Sequence, residues 1–131
     1  MRRIYDFLKN SGVYYLATVE GNKPRVRPFG TIDMFDGKLY IQTGKSKAVA
    51  RQMKANPKIE LSAMSQDGKW IRISAEAVPD ENIKAQEHML DAYPDLKAMY
   101  QPGDGNTEVY YLKNGKAQIC SFADAPLEIE F

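Results

Sequence analysis

Two short stretches hold the side chains best placed to do chemistry. Arg25 and Arg27 stand two apart in Arg25-Val26-Arg27-Pro28, and Lys45, Lys47 and Arg51 crowd into Thr43-Gly44-Lys45-Ser46-Lys47-Ala48-Val49-Ala50-Arg51-Gln52. A spacing of two on a strand turns both arginines to one face, where they repel unless something negative lies between them. The second stretch reads as a strand end, a glycine turn and a helix start. Gly44 would supply a backbone angle closed to other residues, and Ser46 is a good N-cap. A helix N-terminus exposes unpaired N–H groups and a partial positive charge, so cations gathered there are locally unfavourable until an anion joins them. A phosphate is the obvious anion. Such end effects are worth only roughly 0.3–1 kcal/mol, which keeps a plain solvated surface in contention. The second basic stretch adds weight to an anion site.

The totals restrict where that site can act. The chain has 131 residues and a formal charge of +1, enough for one domain spanning residues 1–131 with a real core. A charge so close to zero gives no global field toward nucleic acid or an anionic membrane, so any anion site is local. The basic residues cluster instead of tracking a groove, which argues against a small nucleic-acid-binding barrel. No apolar run approaches the roughly 20 residues a membrane helix needs. The start, Met1-Arg2-Arg3-Ile4-Tyr5-Asp6, lacks a signal-like apolar region, and Cys120 is the one cysteine. Both features fit a reducing cytoplasm, with no disulfide framework and no metal cluster. Cys120 reads as a small strand hydrophobe and His88, mid-helix, as a surface or packing residue. There is no nucleophile–base pair and no GxGxxG fingerprint.

The elements that must position the basic stretches follow from periodicity. A short helix runs Arg3 to Asn10 and stops at Gly12. Strands are expected over Val13 to Glu20 and Pro24 to Met34. Pro28 lacks an N–H, so the second is an edge or is bulged there, and Gly30 supports a bend. A third strand carries Leu39 and Ile41 alternating with Tyr40 and Gln42, followed by a helix over Lys47 to Asn56 that Pro57 ends. Lys58 to Met64 and Trp70 to Val78 form a hairpin about Asp67-Gly68. A helix begins at an Asp80 N-cap, a shorter one covers Asp95 to Tyr100, and a last hairpin turns at Asn114-Gly115. Short strands joined by hairpins, with a few helices, make a mainly β, α+β fold: a small antiparallel barrel with peripheral helices.

The order Pro24-Arg25-Val26-Arg27-Pro28, Tyr40-Ile41-Gln42-Thr43, Lys45-Ser46-Lys47 with Gln52 and Asn56-Pro57, then Trp70-Ile71-Arg72-Ile73 resembles the pyridoxamine 5′-phosphate oxidase-like, FMN-binding split-barrel superfamily, in particular its small nitroimidazole-resistance and general-stress members. The resemblance implies a six-stranded antiparallel split β-barrel of Greek-key type, forming a homodimer with cofactor sites at the interface. Arg27, with Arg25 near it, and Lys47 with Ser46 would hold the FMN phosphate. Val26 and Pro28 would border the ring, and Gln42 and Thr43 would hydrogen-bond it. Lys45 and Gln52 complete that stretch, and Trp70 and Arg72 match a position near the flavin or the dimer contact. The implied activity is a flavin-dependent oxidoreductase moving electrons from NAD(P)H or another small donor to an acceptor, and Arg72 of the second chain would place positive charge near the ring. A deazaflavin could replace FMN, and a flavin- or haem-binding protein without turnover is the alternative. The C-terminal Arg and His of true pyridoxamine phosphate oxidases have no counterpart here, so that activity is not expected.

Overall fold

A computed structural model describes residues 1–131. The chain runs α1 (Arg2–Ser11), β1 (Tyr14–Glu20), β2 (Lys23–Phe29), β3 (Asp33–Phe35), β4 (Lys38–Gly44), α2 (Ala48–Ala55), β5 (Lys58–Met64), β6 (Trp70–Asp80), α3 (Ile83–Ala92), a single 3-10 turn (Pro94–Ala98), β7 (Thr107–Cys120) and β8 (Leu127–Glu130). All strand pairs are antiparallel, in the order β2-β1-β5-β6-β7-β4-β3, with β8 added on β7. The β1–β5 and β4–β7 pairings skip intervening chain, as in Greek-key winding. The fold is thus the α+β split barrel, with eight strands in place of six. One extra strand arises because the chain leaves β2 after Phe29 and resumes pairing at Asp33. The other is the C-terminal tail.

Alternation of apolar and polar residues builds the core. Tyr14, Leu16, Leu61, Ile71 and Ile73 are wholly buried on the inner sheet face, each Leu or Ile worth roughly 1.5–3 kcal/mol of transfer free energy. Ile4 and Leu8 of α1 and Val49 and Met53 of α2 join the same cluster. β4 departs from half-burial: Leu39 and Ile41 face the core, while Tyr40 packs with Ala85, Met89 and Val109 in a second cluster beneath α3. The two ends of the sheet approach one another at Thr31. Its hydroxyl accepts from the Gln42 N–H at 3.1 Å, and its carbonyl accepts from the Tyr14 hydroxyl at 2.5 Å.

Three local expectations are corrected. Ser46 is not an N-cap: Lys47 occupies that position with extended backbone and no capping side-chain bond, and α2 starts at Ala48. Asp80 does not cap α3 either, because β6 continues through it and its carboxylate accepts from the Tyr40 hydroxyl at 2.7 Å; Asn82 is the cap. Asn114-Gly115 is not a hairpin turn. β7 is one strand of 14 residues, and the pair sits where its register with β6 shifts between Ser74 and Glu76. Asn114 holds φ 53° there, the left-handed conformation a bulge shares with such a turn.

Candidate functional site

A cavity of about 260 Å³ opens where the end of β2, the end of β4, the start of α2 and the turn after α3 meet. Arg27, Pro28, Phe29, Thr31, Gln42, Thr43 and Lys47 line it from the sheet and the α2 approach. Val49, Leu96, Met99 and Tyr100 supply apolar walls. Pro28 lacks an N–H and therefore suits the free edge, and β2 does lie at the end of the sheet order.

The approach to α2 is tightly built. The Lys47 N–H donates to the Gly44 carbonyl at 3.0 Å, closing a turn. Gly44 is needed for closeness and not for an unusual φ: a Cβ there would lie 3.0 Å from Asn106 Nδ2 and 3.2 Å from the Tyr100 ring. Asn106 also takes the Lys45 N–H on its carbonyl at 2.8 Å and the Ser46 N–H on Oδ1 at 3.2 Å. Those two donors are therefore spent. The N–H groups of Ala48 and Val49 make no backbone hydrogen bond, so they remain available at the helix tip beside Lys47.

Arg27 is partly buried, and burial together with the Arg25 charge pulls its guanidinium below its ordinary pKa. It donates to the Leu16 carbonyl at 3.2 Å, to Thr18 Oγ1 at 2.7 Å and to Gln52 Oε1 at 2.5 Å. Gln42 is buried, and its Oε1 has no partner within the chain. A buried acceptor left unpaired costs roughly 1–3 kcal/mol, a cost that a ligand N–H would offset. The residues thus fit a ligand with an anionic tail and a polar, flat body. A flavin nucleotide is a group of that kind.

The other residues expected at the site lie elsewhere in the single chain. Arg25 pairs with Glu20 at 2.8 Å on the exposed β1–β2 turn. Val26 faces outward and is 68% exposed. Lys45 lines a separate cavity with Arg51, Lys54 and Glu108, and Ser46 accepts from Arg51 on its carbonyl at 3.0 Å. Gln52 lies behind Arg27, bonded to it. Trp70 packs on Phe122. Arg72, 4.0 Å from Glu60, lines a groove with Lys116, Gln118 and Glu128 on the outer sheet face. Sequence reasoning missed Thr18, Tyr100 and Asn106. Thr18 carried a signal, a polar residue in the inward row Tyr14, Leu16, Thr18; for the other two only the folded contacts reveal a role.

A family model described as pyridoxamine 5′-phosphate oxidase matches residues 2–119. The chain belongs to that family. Among solved structures, a NimC/NimA family protein from Clostridium acetobutylicum is 44% identical, with a TM-score of 0.97 over all of this chain and 92% of that one. General Stress Protein 26 from Bacillus anthracis shares the fold at 16% identity and a TM-score of 0.79, over 99% of this chain and 97% of that one. A protein from Mesorhizobium loti described as FAD-binding does so at 16% identity and a TM-score of 0.60, over 88% and 91% of the two chains. No protein among curated ones matches significantly. No helix of this family member is long and apolar enough to cross a membrane.

Proposed function

We propose that this member of the pyridoxamine 5′-phosphate oxidase family is an FMN-binding oxidoreductase. The observation that carries the reading is one cavity bringing together Arg27, Lys47, the open tip of α2 and the unpartnered Gln42 Oε1. Arg27 and Lys47, with the Ala48 and Val49 N–H groups, hold the phosphate. Gln42 Oε1 accepts an N–H from the ring, with Thr43 beside it. Phe29, Val49, Leu96, Met99 and Tyr100 flank the ring and exclude water. Bound FMN supplies the electron transfer, which no side chain of this cavity can carry. The related structure described as FAD-binding supports a flavin as the ligand class.

A second copy of the chain completes the assembly in this reading. Cross-strand register puts Tyr15, Val26, Pro28, Met64, Trp70 and Arg72 on one outer face. Tyr15, Val26 and Met64 are each more than half exposed, an apolar cover suited to a two-fold partner. Arg72 lies on that face, so the second copy can deliver it to the cavity as positive charge near the ring. The purified protein tests the reading directly. It should bind FMN with one equivalent per chain, and NAD(P)H should bleach the bound flavin, with an added acceptor restoring it. Failure to take up FMN sinks the proposal. Uptake without bleaching by any donor favours the flavin-carrier reading.

A further inference from the structure

The way Arg27 is held is unusual for a partly buried cation. A guanidinium has five N–H donors. Nη1 uses two, on the Leu16 carbonyl and Thr18 Oγ1, and Nη2 uses one, on Gln52 Oε1. Thr18 closes the ring by donating its own hydroxyl to the same Gln52 oxygen at 2.5 Å. Thr18 is 2% and Gln52 7% exposed, so water does not compete for these bonds. Each acceptor is neutral. Glu20, the carboxylate of the adjoining turn, is bound by Arg25 instead. A buried cation is ordinarily matched by an anion, because leaving it bare is costly. Here Nε–H and one Nη2 proton stay free, and the charge stays uncancelled.

We infer that Thr18 and Gln52 are positioning residues: their neutral oxygens aim the Arg27 guanidinium and leave its full charge for a phosphate ester in the cavity. The inference rests on the flavin reading for the identity of that ester. Neutrality is the essential property. A glutamate at position 52 would offer an oxygen at the same place, pair with Arg27 internally and satisfy the cation before any ligand arrives. A valine at position 18 would keep the shape, remove the hydroxyl and release one side of the guanidinium.

A merely structural role, tying α2 to β1 and β2, would weaken every ligand alike. A positioning role acts on the phosphate alone. The test is therefore fluorescence titration of the wild-type chain and of Gln52→Glu, Thr18→Val and Thr18→Ser with FMN and with riboflavin, alongside melting curves. The wild-type chain should prefer FMN. Gln52→Glu should cut the ratio of FMN to riboflavin affinity by about tenfold or more, the scale of a lost charge-assisted contact. Thr18→Val should cut it less, Thr18→Ser should restore it, and riboflavin affinity should hold throughout. An unchanged ratio in Gln52→Glu, or a parallel fall for both ligands, overturns the inference while leaving the flavin reading intact. If Gln52→Glu does not fold, the Thr18→Val and Thr18→Ser pair decides by the same ratio. A wild-type chain that binds both ligands equally overturns the phosphate reading itself, and this inference with it.

Discussion

His88 Nδ1 lies 2.6 Å from Asp33 Oδ2, joining the middle of α3 to the first residue of β3. The Asp33 side chain is 5% exposed and that of His88 48%. The imidazole therefore serves a buried carboxylate and lies outside the Arg27–Lys47 cavity. His88→Ala should lower stability by about 1–2 kcal/mol, because the carboxylate loses its partner but water can reach the vacated side. His88→Gln, which retains a donor, should recover part of this. Urea unfolding reads the stability, and flavin content should not change. A flavin-free His88→Ala protein of normal stability would move this residue into the site.

Asp104 organises the loop that carries Asn106. Its carboxylate accepts from the N–H groups of Gln101 at 3.0 Å, Asn106 at 2.8 Å and Thr107 at 2.6 Å. These bonds, Thr107 first, hold its pKa well below the ordinary carboxylate value of 3.8. With a depressed folded value, the unfolded chain takes up the proton first on acidification. The stabilisation is thus complete above the ordinary value and is lost as pH falls toward the folded one. Asp104→Asn should melt lower than wild type at pH 7, and the gap should close as the pH drops below 3.8. Melting temperature followed against pH checks this. A gap that stays constant into strong acid would rule out the carboxylate as its source.

Much of this architecture can be read from local pattern, and the misses share a physical cause. β5 and β6 alternate cleanly because each buries one face, so Ile59, Leu61, Ile71 and Ile73 appear where expected. β4 misleads because α3 covers its second face, a contact made by residues more than forty positions away. Asn114-Gly115 offers the same backbone chemistry to a hairpin turn and to a kink. Only the long partner β6 decides between them. At the site, Arg27 and Lys47 could be read from strand period and the approach to a helix, and both line the cavity; Gln42 and Thr43 came only through the family resemblance, since neighbours on a strand face opposite ways. The Ser46 N–H is held by the Asn106 side chain, 60 residues later in the chain, and the cap position falls to Lys47 with no side-chain bond; no local signal announces that.

Removing either cation should separate ligand binding from folding. Lys47 is exposed, and Arg27 is held by neutral acceptors, so neither closes an ion pair within the chain. Lys47→Ala should weaken FMN by about tenfold or more, the scale of a lost charge-assisted contact, with melting unchanged. Arg27→Ala should lose FMN further, and also some stability, since Thr18 and Gln52 are left buried with fewer partners. Equilibrium dialysis with FMN reads the first effect and calorimetry the second. Stoichiometric flavin retained in both variants would remove their phosphate role.

The proposed two-fold partner makes a distinct demand on the outer sheet face. Val26 is 68% exposed in the single chain, so a charge placed there costs the monomer little. Against a second copy, Val26→Glu would bury two carboxylates near the axis, which is strongly unfavourable. Sedimentation should show wild-type dimers and Val26→Glu monomers, and flavin should leave with the partner because Arg72 and the covering face go with it. A variant that stays dimeric, or a monomer that keeps its flavin, would place the interface elsewhere or the cavity wholly within one chain.

The C-terminal strand depends on one missing Cβ. Gly115 and Phe131 exchange backbone hydrogen bonds at 2.8 and 2.9 Å, directly at the kink of β7. The Phe131 ring lies where a side chain on Gly115 would have to be, against three of its carbon atoms. Gly115→Ala therefore forces the ring out, and the pairing of β8 from Leu127 onward loses its anchor. β8 is short and its side chains are mostly exposed, so the core should survive, with a loss of about 1–3 kcal/mol typical of an overpacked site. Amide exchange should quicken along β8 and around Lys116 to Ile119, its partners on β7, while β1 and β5 stay protected. Removing the ring in Gly115→Ala/Phe131→Ala should spare the backbone pairing and slow that exchange again. Exchange that remains fast in the double variant would show that the kink needs glycine for its backbone and not for the ring above it.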